Sequence, residues 1–293
     1  MDTYFGIHNH TMYSNLRLLD SINRPKDLIK KAKELGLSGI AITDHECLSA
    51  HMEVNKLAKA MQETDPEFTI ALGNEIYLTD TRDSSQKYYH FLLIAKDELG
   101  HRALKELSSI AWYNVYVDRR MERVPTLKSE LKDVISRYKG HVIATSACLG
   151  GELSTNALNW FRAKGVNDKA SSDYFLKNID NFLRFCYEVF GEDFYIECAP
   201  SLYQDQIEAN RALWQLAQMY NIKLVVGTDA HYLEYKDRYV HEAYLNSKGG
   251  EREVASFYEY ARLMTPEECR KLLFESFGDN EIIDEIFSNT LEI

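Results

Sequence analysis

The sequence of 293 residues predicts an α/β barrel of seven strands. Short runs rich in Ile, Val, Phe and Tyr alternate along the chain with stretches whose apolar residues have the spacing of amphipathic helices. Side chains that bind metal ions recur at or near the ends of these runs. Strands that alternate with helices form a parallel sheet, and about seven such units are enough to close it into a barrel.

The predicted strands are short, as buried strands are. They cover residues 5–10, 39–45, 69–78, 88–95, 141–148, 194–199 and 224–231. A helix is predicted between Pro25 and Gly36, because its apolar residues fall on one face and a glycine ends it. The same spacing predicts helices over 49–63, 98–115, 171–190 and 204–220.

The regular alternation ends after residue 231. Thr265 followed by Pro266 predicts a helix start, with the threonine as N-cap and the proline at the first helical position. We therefore expect a single domain over 1–293, with the barrel over about 1–240 and a helical tail over about 262–293. Two short helices packed on the barrel would account for that tail.

The charge of the chain restricts how it meets nucleic acid. It has 34 basic and 45 acidic residues, a formal charge of −11. A protein that holds long duplex through its general surface should be basic, so that class is excluded. A phosphate-bearing substrate would have to be bound locally, by a few basic side chains or by metal ions.

Targeting and cysteine patterns predict a cytoplasmic protein. No run reaches the roughly 20 apolar residues of a membrane span, and the N-terminus has no secretory pattern, so no membrane partner is expected. The five cysteines are odd in number and form no CxxC pair, which argues against a disulfide framework.

Metal-binding side chains begin in the first predicted strand. His8 and His10 are two residues apart, so they point to the same side of that strand. Asp44 and His45 end the second strand. Glu75 lies inside the apolar third strand, where a buried carboxylate without a partner is costly and therefore needs a cation.

The later strands continue this pattern. His90 lies in the fourth strand, Cys148 ends the fifth, and Asp229 and His231 end the last one two residues apart. The ends of parallel strands are where barrel enzymes build their active sites. Mixed imidazole, carboxylate and thiolate ligands suit zinc, manganese or iron better than magnesium or calcium. The sequence predicts a cluster of divalent ions.

Five motifs occur in the order of a known family: FGIHNHT, GIAITDHE, GNEIYL, ATSACLGGEL and GTDAHY. In these the chain resembles the polymerase and histidinol phosphatase (PHP) family. SACLGGEL, GTDAHYL and LMTPEECRKLL resemble most the N-terminal PHP domain of bacterial DNA polymerase III α subunits, without the polymerase domains. The likeness covers nearly the whole chain and implies a distorted seven-stranded (β/α) TIM-like barrel with two to three divalent ions.

The resemblance implies nine metal ligands in three sites. These are His8, His10, Glu75 and Asp229; Glu75 again, with His90 and Cys148; and Asp20, His45 and His231. Asp20 departs from the family's spacing, because it lies ten residues beyond His10. A complete ligand set favours catalysis over a purely structural role.

The function implied by the resemblance is that of a metal-dependent phosphoesterase. The most specific expectation is a 3′–5′ exonuclease of the proofreading type, which hydrolyses single-stranded 3′ ends of DNA through a metal-bridged hydroxide. A replicative polymerase or another replisome component would be its partner in DNA replication. Two alternatives stay open: a phosphomonoesterase of histidinol-phosphatase type, and a non-catalytic, metal-stabilised module that docks on a replicative polymerase.

Two further residues are expected to assist the site. Asp44 is predicted to orient a ligand by hydrogen bonding. Arg17 is a candidate phosphate clamp, although an exposed loop position explains it equally well. The stretch WYNVYVDRRMERV either stacks bases and holds a strand, or forms a helix with a buried Tyr-rich face.

Other polar and sulfur-containing residues receive no role in the site. His51, His101, His141 and His241 are predicted to be surface histidines. Cys47 and Cys198 are predicted to be buried as small apolar residues. Glu197 is a candidate carboxylate inside the barrel, and it is not assigned to the site.

Overall fold

A nearly closed barrel of seven strands surrounded by helices forms the core of the computed structural model, which describes residues 3–16, 19–83, 86–118, 121–247 and 256–293. The strands are β1 Phe5–Gly6, β2 Gly39–Ile42, β3 Thr69–Thr79, β4 Tyr89–Ala95, β5 Tyr116–Asp118, β6 Met121–Arg123, β7 Thr126–Leu127, β8 Val142–Thr145, β9 Phe194–Cys198 and β10 Leu224–Val226. The helices are α1 Pro25–Glu34, α2 His51–Thr64, α3 Glu98–Tyr113, α4 Lys128–Arg137, α5 Glu152–Gly165, α6 Lys169–Phe190, α7 Gln204–Tyr220, α8 Arg238–Asn246, α9 Pro266–Phe277 and α10 Asn280–Thr290.

The barrel strands follow the order β1-β2-β3-β4-β8-β9-β10, and the short β7 pairs with the end of β3. The first and last strands meet just beyond their ends, where Asn9 and Ala230 form a single bridge. There the backbone N–H of His10 donates to the Ala230 carbonyl at 3.0 Å, and the N–H of Ala230 donates to the His8 carbonyl at 3.2 Å. The predicted seven-stranded α/β barrel is confirmed.

The fourth barrel strand corrects the expectation of a parallel sheet. β4 runs antiparallel to both of its neighbours, β3 and β8. Only residues 80–88 connect β3 to β4, and a parallel crossover needs a dozen or more residues. The reversal places His90, at the start of β4, at the same edge of the barrel as the carboxyl ends of the other strands.

The helices cover the outside of the barrel. In α1 the buried face includes Leu28, Ile29 and Ala32, as the apolar spacing predicts. Helices α4, α5 and α8 were not predicted. In α5 the buried face includes the polar residues Ser154 and Asn156 among its apolar ones, which obscures the helical spacing. The Tyr-rich stretch after α3 is not a helix: β5 and β6 pair antiparallel there, and residues 119–120 lie outside the described ranges.

The two predicted tail helices are present as α9 and α10. The Thr265 hydroxyl caps α9 by accepting from the Glu268 N–H at 3.1 Å. The Asn289 side chain donates to the Leu224 carbonyl at 3.0 Å, so α10 packs along β10. Across all helices in the described part of the chain, none combines the length and apolarity needed to cross a membrane.

Candidate metal centre

Nine side chains converge at one edge of the barrel, and most of them are buried. They are His8, His10, Asp20, His45, Glu75, His90, Cys148, Asp229 and His231. Glu75 lies within β3 and His90 at the start of β4, and the other seven follow the ends of β1, β2, β8 and β10. The sequence-predicted set therefore forms one continuous cluster in space.

Glu75 lies at the centre of this cluster and is fully buried. Its Oε1 atom is 2.9 Å from Nδ1 of His90 and 3.4 Å from Nε2 of His8. Its Oε2 atom is 2.8 Å from Nδ1 of His45 and 3.3 Å from Nε2 of His10. A single carboxylate thus faces four imidazoles: two that follow β1, one that follows β2 and one in β4.

Two aspartates complete the acidic part of the cluster. Asp229 Oδ1 is 3.0 Å from Nε2 of His10. Asp20, despite its unusual spacing in the sequence, places Oδ1 3.1 Å from Nε2 of His231 and Oδ2 3.3 Å from Nε2 of His45. Asp229 has a positive φ of 47°, a backbone strain that is concentrated at functional sites in proteins.

Cys148 lies beside the two residues with which the resemblance groups it. Its Sγ atom is 3.5 Å from Nδ1 of His90 and 3.9 Å from Oε1 of Glu75. The backbone that follows Cys148 also packs closely on this histidine, because a Cβ at Gly150 would lie 3.0 Å from the His90 ring. Burial, followed by the charges of Asp229 and Glu75, raises the pKa of the Cys148 thiol well above its ordinary value.

The donor atoms of the cluster have the arrangement expected of a metal-binding set. His8 Nε2, Asp20 Oδ2, His45 Nδ1 and Glu75 Oε2 are buried and make no hydrogen bond, although each has a potential partner within 3.4 Å. Buried polar atoms are almost always hydrogen bonded, so these atoms are aligned for something else. Three groups each bring their ligand atoms within 4.8 Å of one another: His10, His45 and His231; His8, His10, Glu75 and Asp229; and His45, Glu75 and His90.

The imidazoles are held from outside in the way that metal-bound histidines are. His8 donates through Nδ1 to Glu197 Oε1 at 2.6 Å, and His231 donates through Nδ1 to the Asp229 carbonyl at 2.6 Å. Ser14 donates its hydroxyl to Asp44 at 2.7 Å, so His10 Nδ1, at 3.3 Å, must donate to the Ser14 oxygen. Each ring thereby turns its Nε2 lone pair toward the cluster.

Glu197, which the sequence suggested only as a carboxylate inside the barrel, lies beside the cluster. It lies in β9, and besides His8 it accepts a hydrogen bond from the Thr145 hydroxyl. Gly227 leaves room for its carboxylate, because a Cβ at that position would lie 2.0 Å from Glu197 Oε1. The sequence signal that could have identified Glu197 is the one used for Glu75, a single carboxylate within an apolar strand.

We expect Glu197→Gln to weaken metal binding or activity by about 10- to 100-fold, the usual cost of losing an outer partner of a metal ligand. Glutamine can occupy the same space, but its neutral amide does not hold the His8 tautomer as a carboxylate does. Metal content and phosphodiesterase rate measure the effect, with Glu130→Gln, which breaks an ion pair with Arg82 elsewhere, as the matched control. Equal behaviour of the two variants would contradict this role.

Asp44 contacts a ligand of the cluster only indirectly. It accepts from the Thr11 backbone N–H at 2.6 Å and from Ser14, which contacts His10. The prediction that it orients a ligand thus takes an indirect form, through Ser14. Arg17, the candidate phosphate clamp, lies outside the described residues.

Two histidines predicted to be at the surface are buried instead. His51 donates to the Gly73 carbonyl and contacts His101 at 3.0 Å, so its ring is satisfied inside the protein. His241 is fully buried and donates through Nε2 to the Asp20 carbonyl at 2.6 Å. Both rings face neighbouring elements that the helical pattern alone does not identify. The other two, His101 and His141, are partly exposed.

Charge compensation dominates the electrostatics of the cluster. Burial opposes the charge on His231, but Asp20 and Asp229 outweigh it and raise its pKa to about 9. Burial is likewise outweighed at His8, mainly by Glu197 and Asp229, and its pKa lies well above the ordinary value. In the opposite direction, the surrounding imidazoles hold the pKa of Glu75 well below its usual range despite burial.

The metal-free protein is expected to lose stability as the pH rises from about 6.5 to about 9. A histidine whose pKa is raised on folding contributes stability below its unfolded pKa of about 6.5, and that contribution is lost through the folded pKa. For His231 alone the loss is about 3 kcal/mol, at about 1.4 kcal/mol per pKa unit.

Thermal unfolding of chelator-treated protein at pH 6 and pH 9 measures this loss, and zinc or manganese should abolish it by replacing the protons. The carboxylates act oppositely: Glu75, with its lowered pKa, contributes stability that is lost as the pH falls below about 4.5. Equal melting temperatures at pH 6 and 9 without metal would contradict the charge pairing.

Comparison with known proteins identifies the family to which this chain belongs. The chain belongs to the PHP domain family, whose model matches residues 6–201. The matched residues make up about two thirds of the chain and include β2 to β9. The resemblance seen in the five sequence motifs is thereby confirmed.

Two relatives are DNA polymerases. The DNA-directed DNA polymerase of Bacillus phage SPbeta is 41% identical over 300 residues, which cover 98% of this chain and 23% of the relative. The DNA polymerase III subunit alpha of Aquifex aeolicus is 31% identical over 250 residues, covering 81% of this chain and 19% of the relative. The chain thus spans about a fifth to a quarter of the length of these relatives.

One solved structure whose backbone aligns with this chain is the histidinol phosphate phosphatase of Lactococcus lactis, in complex with zinc, L-histidinol and phosphate. The alignment covers 84% of this chain and 94% of that one, with 12% identity and a TM-score of 0.39. At this TM-score the likeness carries no argument about the site.

Proposed function

We propose that this chain is a metal-dependent phosphodiesterase that removes nucleotides from the 3′ end of DNA. The observation that supports it most is the convergence of five imidazoles, three carboxylates and one thiol, with four buried donor atoms that make no hydrogen bond. The relatives are DNA polymerases, which supports DNA as the substrate and a replicative polymerase or another replisome component as the partner.

The cluster would hold two or three divalent ions of zinc, manganese or iron. We assign the sites as His8, His10, Glu75 and Asp229; Glu75, His90 and Cys148; and Asp20, His45 and His231. Ions bound there would lower the pKa of a coordinated water to about 7 and offset the negative charge that develops on a phosphoryl group.

The protein's own contribution is orientation and charge. Glu197 and Ser14 fix the His8 and His10 rings, so that no reorientation is needed when a substrate arrives. Glu75 faces four imidazoles at once and so connects the parts of the cluster. Burial of these groups excludes bulk water, which strengthens every charge interaction inside the site.

The charge of the protein supports a single-stranded end as the substrate. With a net charge of −11, the surface repels the two backbones of a duplex more than one flexible strand. A strand end also needs no bending to reach a recessed cluster. Because few phosphates would be contacted, the rate should fall only shallowly as salt rises.

A time course on 5′-labelled oligonucleotides with manganese tests the proposal, with single-stranded, mismatched and fully paired 3′ ends. Stepwise shortening that is absent in His10→Ala protein supports the exonuclease. Histidinol phosphate is assayed alongside, and hydrolysis of that monoester alone would replace the exonuclease by a phosphomonoesterase. Metal-loaded protein without turnover on any phosphate ester would favour a non-catalytic docking module instead.

A further inference from the structure

A cavity of about 640 Å³ opens directly over the metal centre. Its floor includes His45, His90 and Cys148 from one side of the cluster, and Asp229 and His231 from the other. Cavities of this size accommodate small molecules or a few residues of a polymer. The cavity therefore determines what else a substrate can present when its phosphate lies at the centre.

The walls of this cavity are aromatic rather than basic. Tyr77, Trp112 and Tyr203 line it, together with Phe257 and Tyr258. None of the lining residues that the structure describes is a lysine or an arginine. Countercharge for a phosphate is thus available only at the floor, from bound ions, while the walls offer the faces of aromatic rings. A phosphate attached to a flat, aromatic group matches both surfaces.

Trp112 is the wall residue best suited to bind such a group. It lies in the last turn of α3, next to the end of the helix, and its ring is only partly buried. The indole Nε1 donates to the Glu46 carbonyl at 2.7 Å, which fixes the ring at the cavity. A ring that is already immobilised loses little conformational entropy when a ligand stacks on it.

Two of the other aromatic walls, Tyr77 and Tyr258, pack against ligands of the cluster. Tyr77 stacks on His90, with ring centroids 4.9 Å apart, and on Tyr88 at 5.1 Å. Tyr258 meets His231 edge-to-face at 5.3 Å. These two rings support ligands of the cluster, whereas the Trp112 hydrogen bond is made through the edge of its ring, at Nε1.

We propose that Trp112 is a base-stacking residue: a nucleobase of the strand end lies on its indole while the adjoining phosphate is at the metal centre. The proposal rests on the proposed function and deepens it, because it makes the base, and not only the phosphodiester, part of what is recognised. Base–aromatic stacking tolerates any base, since every base has a π-face. The site should therefore distinguish a base from its absence, and one base from another only weakly.

The test compares two oligonucleotides that differ only in whether the 3′-terminal nucleotides carry their bases or are abasic. Wild-type protein should show a KM for the abasic strand raised by about 5- to 150-fold, the range that corresponds to stacking of one base. Trp112→Ala should lose this preference because its KM for the base-bearing strand rises, and Trp112→Phe should retain most of the preference. Tyr113→Ala is the matched control, because its neighbouring ring is 90% exposed and does not line the cavity.

A binding measurement separates this proposal from the exonuclease itself. Metal-loaded protein is titrated with dAMP and with 2-deoxyribose 5-phosphate, and binding is measured by calorimetry and by quenching of tryptophan fluorescence. Tighter binding of dAMP that Trp112→Ala abolishes supports stacking, even if no DNA is hydrolysed and the exonuclease is wrong. Two results would overturn the stacking role and leave the exonuclease in place. One is DNA hydrolysis with the same KM for both strands. The other is a Trp112→Ala variant that loses activity equally on both strands.

Discussion

Glu75→Gln is expected to release bound metal and to lower phosphodiesterase activity by more than about 100-fold, beyond the usual cost of an outer partner. The substitution preserves shape and removes one negative charge from the point where four imidazoles converge. Because Glu75 belongs to two of the three proposed sites, neither of those two would keep its full ligand set. Metal analysis after reconstitution and initial rates on a labelled oligonucleotide measure the two effects.

A matched control for this variant is His51→Gln. His51 is also a buried polar residue, but it bonds to Gly73 and His101 outside the cluster. It should keep its metal and its rate, even if its melting temperature falls. Glu75→Gln protein that retains full metal content and full activity would show that the cluster is not the catalytic centre.

Cys148→Ser is expected to lose the ion held near His90 and to show a large fall in rate while the fold is kept. A thiolate binds zinc tightly, whereas a serine hydroxyl stays protonated at neutral pH and is a poor replacement. Because the pKa of the buried thiol is raised, metal binding must displace its proton, so metal uptake at this position should increase with pH.

The corresponding control is Cys269→Ser, which changes a fully buried thiol in α9, outside the cluster. Both variants place a hydroxyl in a buried position, so a shared loss of stability is expected and is not informative. Only Cys148→Ser should lose metal. If it kept its full metal content and rate, Cys148 would be a packing residue and the second site would be wrong.

Much of the fold could be predicted because the information is local. Each barrel strand is a short apolar run, and the pair Thr265-Pro266 is enough to start α9. The direction of β4 is different, because an apolar run has the same composition whichever way it points. The short connection over 80–88 contained that information, since it is too short for a crossover helix.

The candidate site also contains residues that the local sequence predicts and residues whose position depends on the tertiary structure. His8 and His10 could be placed on one side of a strand from their spacing alone, and the structure brings them together. Asp20 could be proposed only from the resemblance, because its approach to His45 and His231 depends on the path of a loop. Glu197 has no motif around it, and the His8 that it contacts lies 189 residues away in the sequence.

The single bridge between Asn9 and Ala230 is a place where the barrel can open locally. It is flanked by His10 on one side and Asp229 on the other, whose side chains meet at 3.0 Å across the join. Ions that bind only when this join is closed reduce the population of its open form by a factor that grows with metal concentration. Once the ions are removed, backbone amides around this join should exchange their hydrogens with solvent faster, whereas those of β4, paired on both sides, should change little.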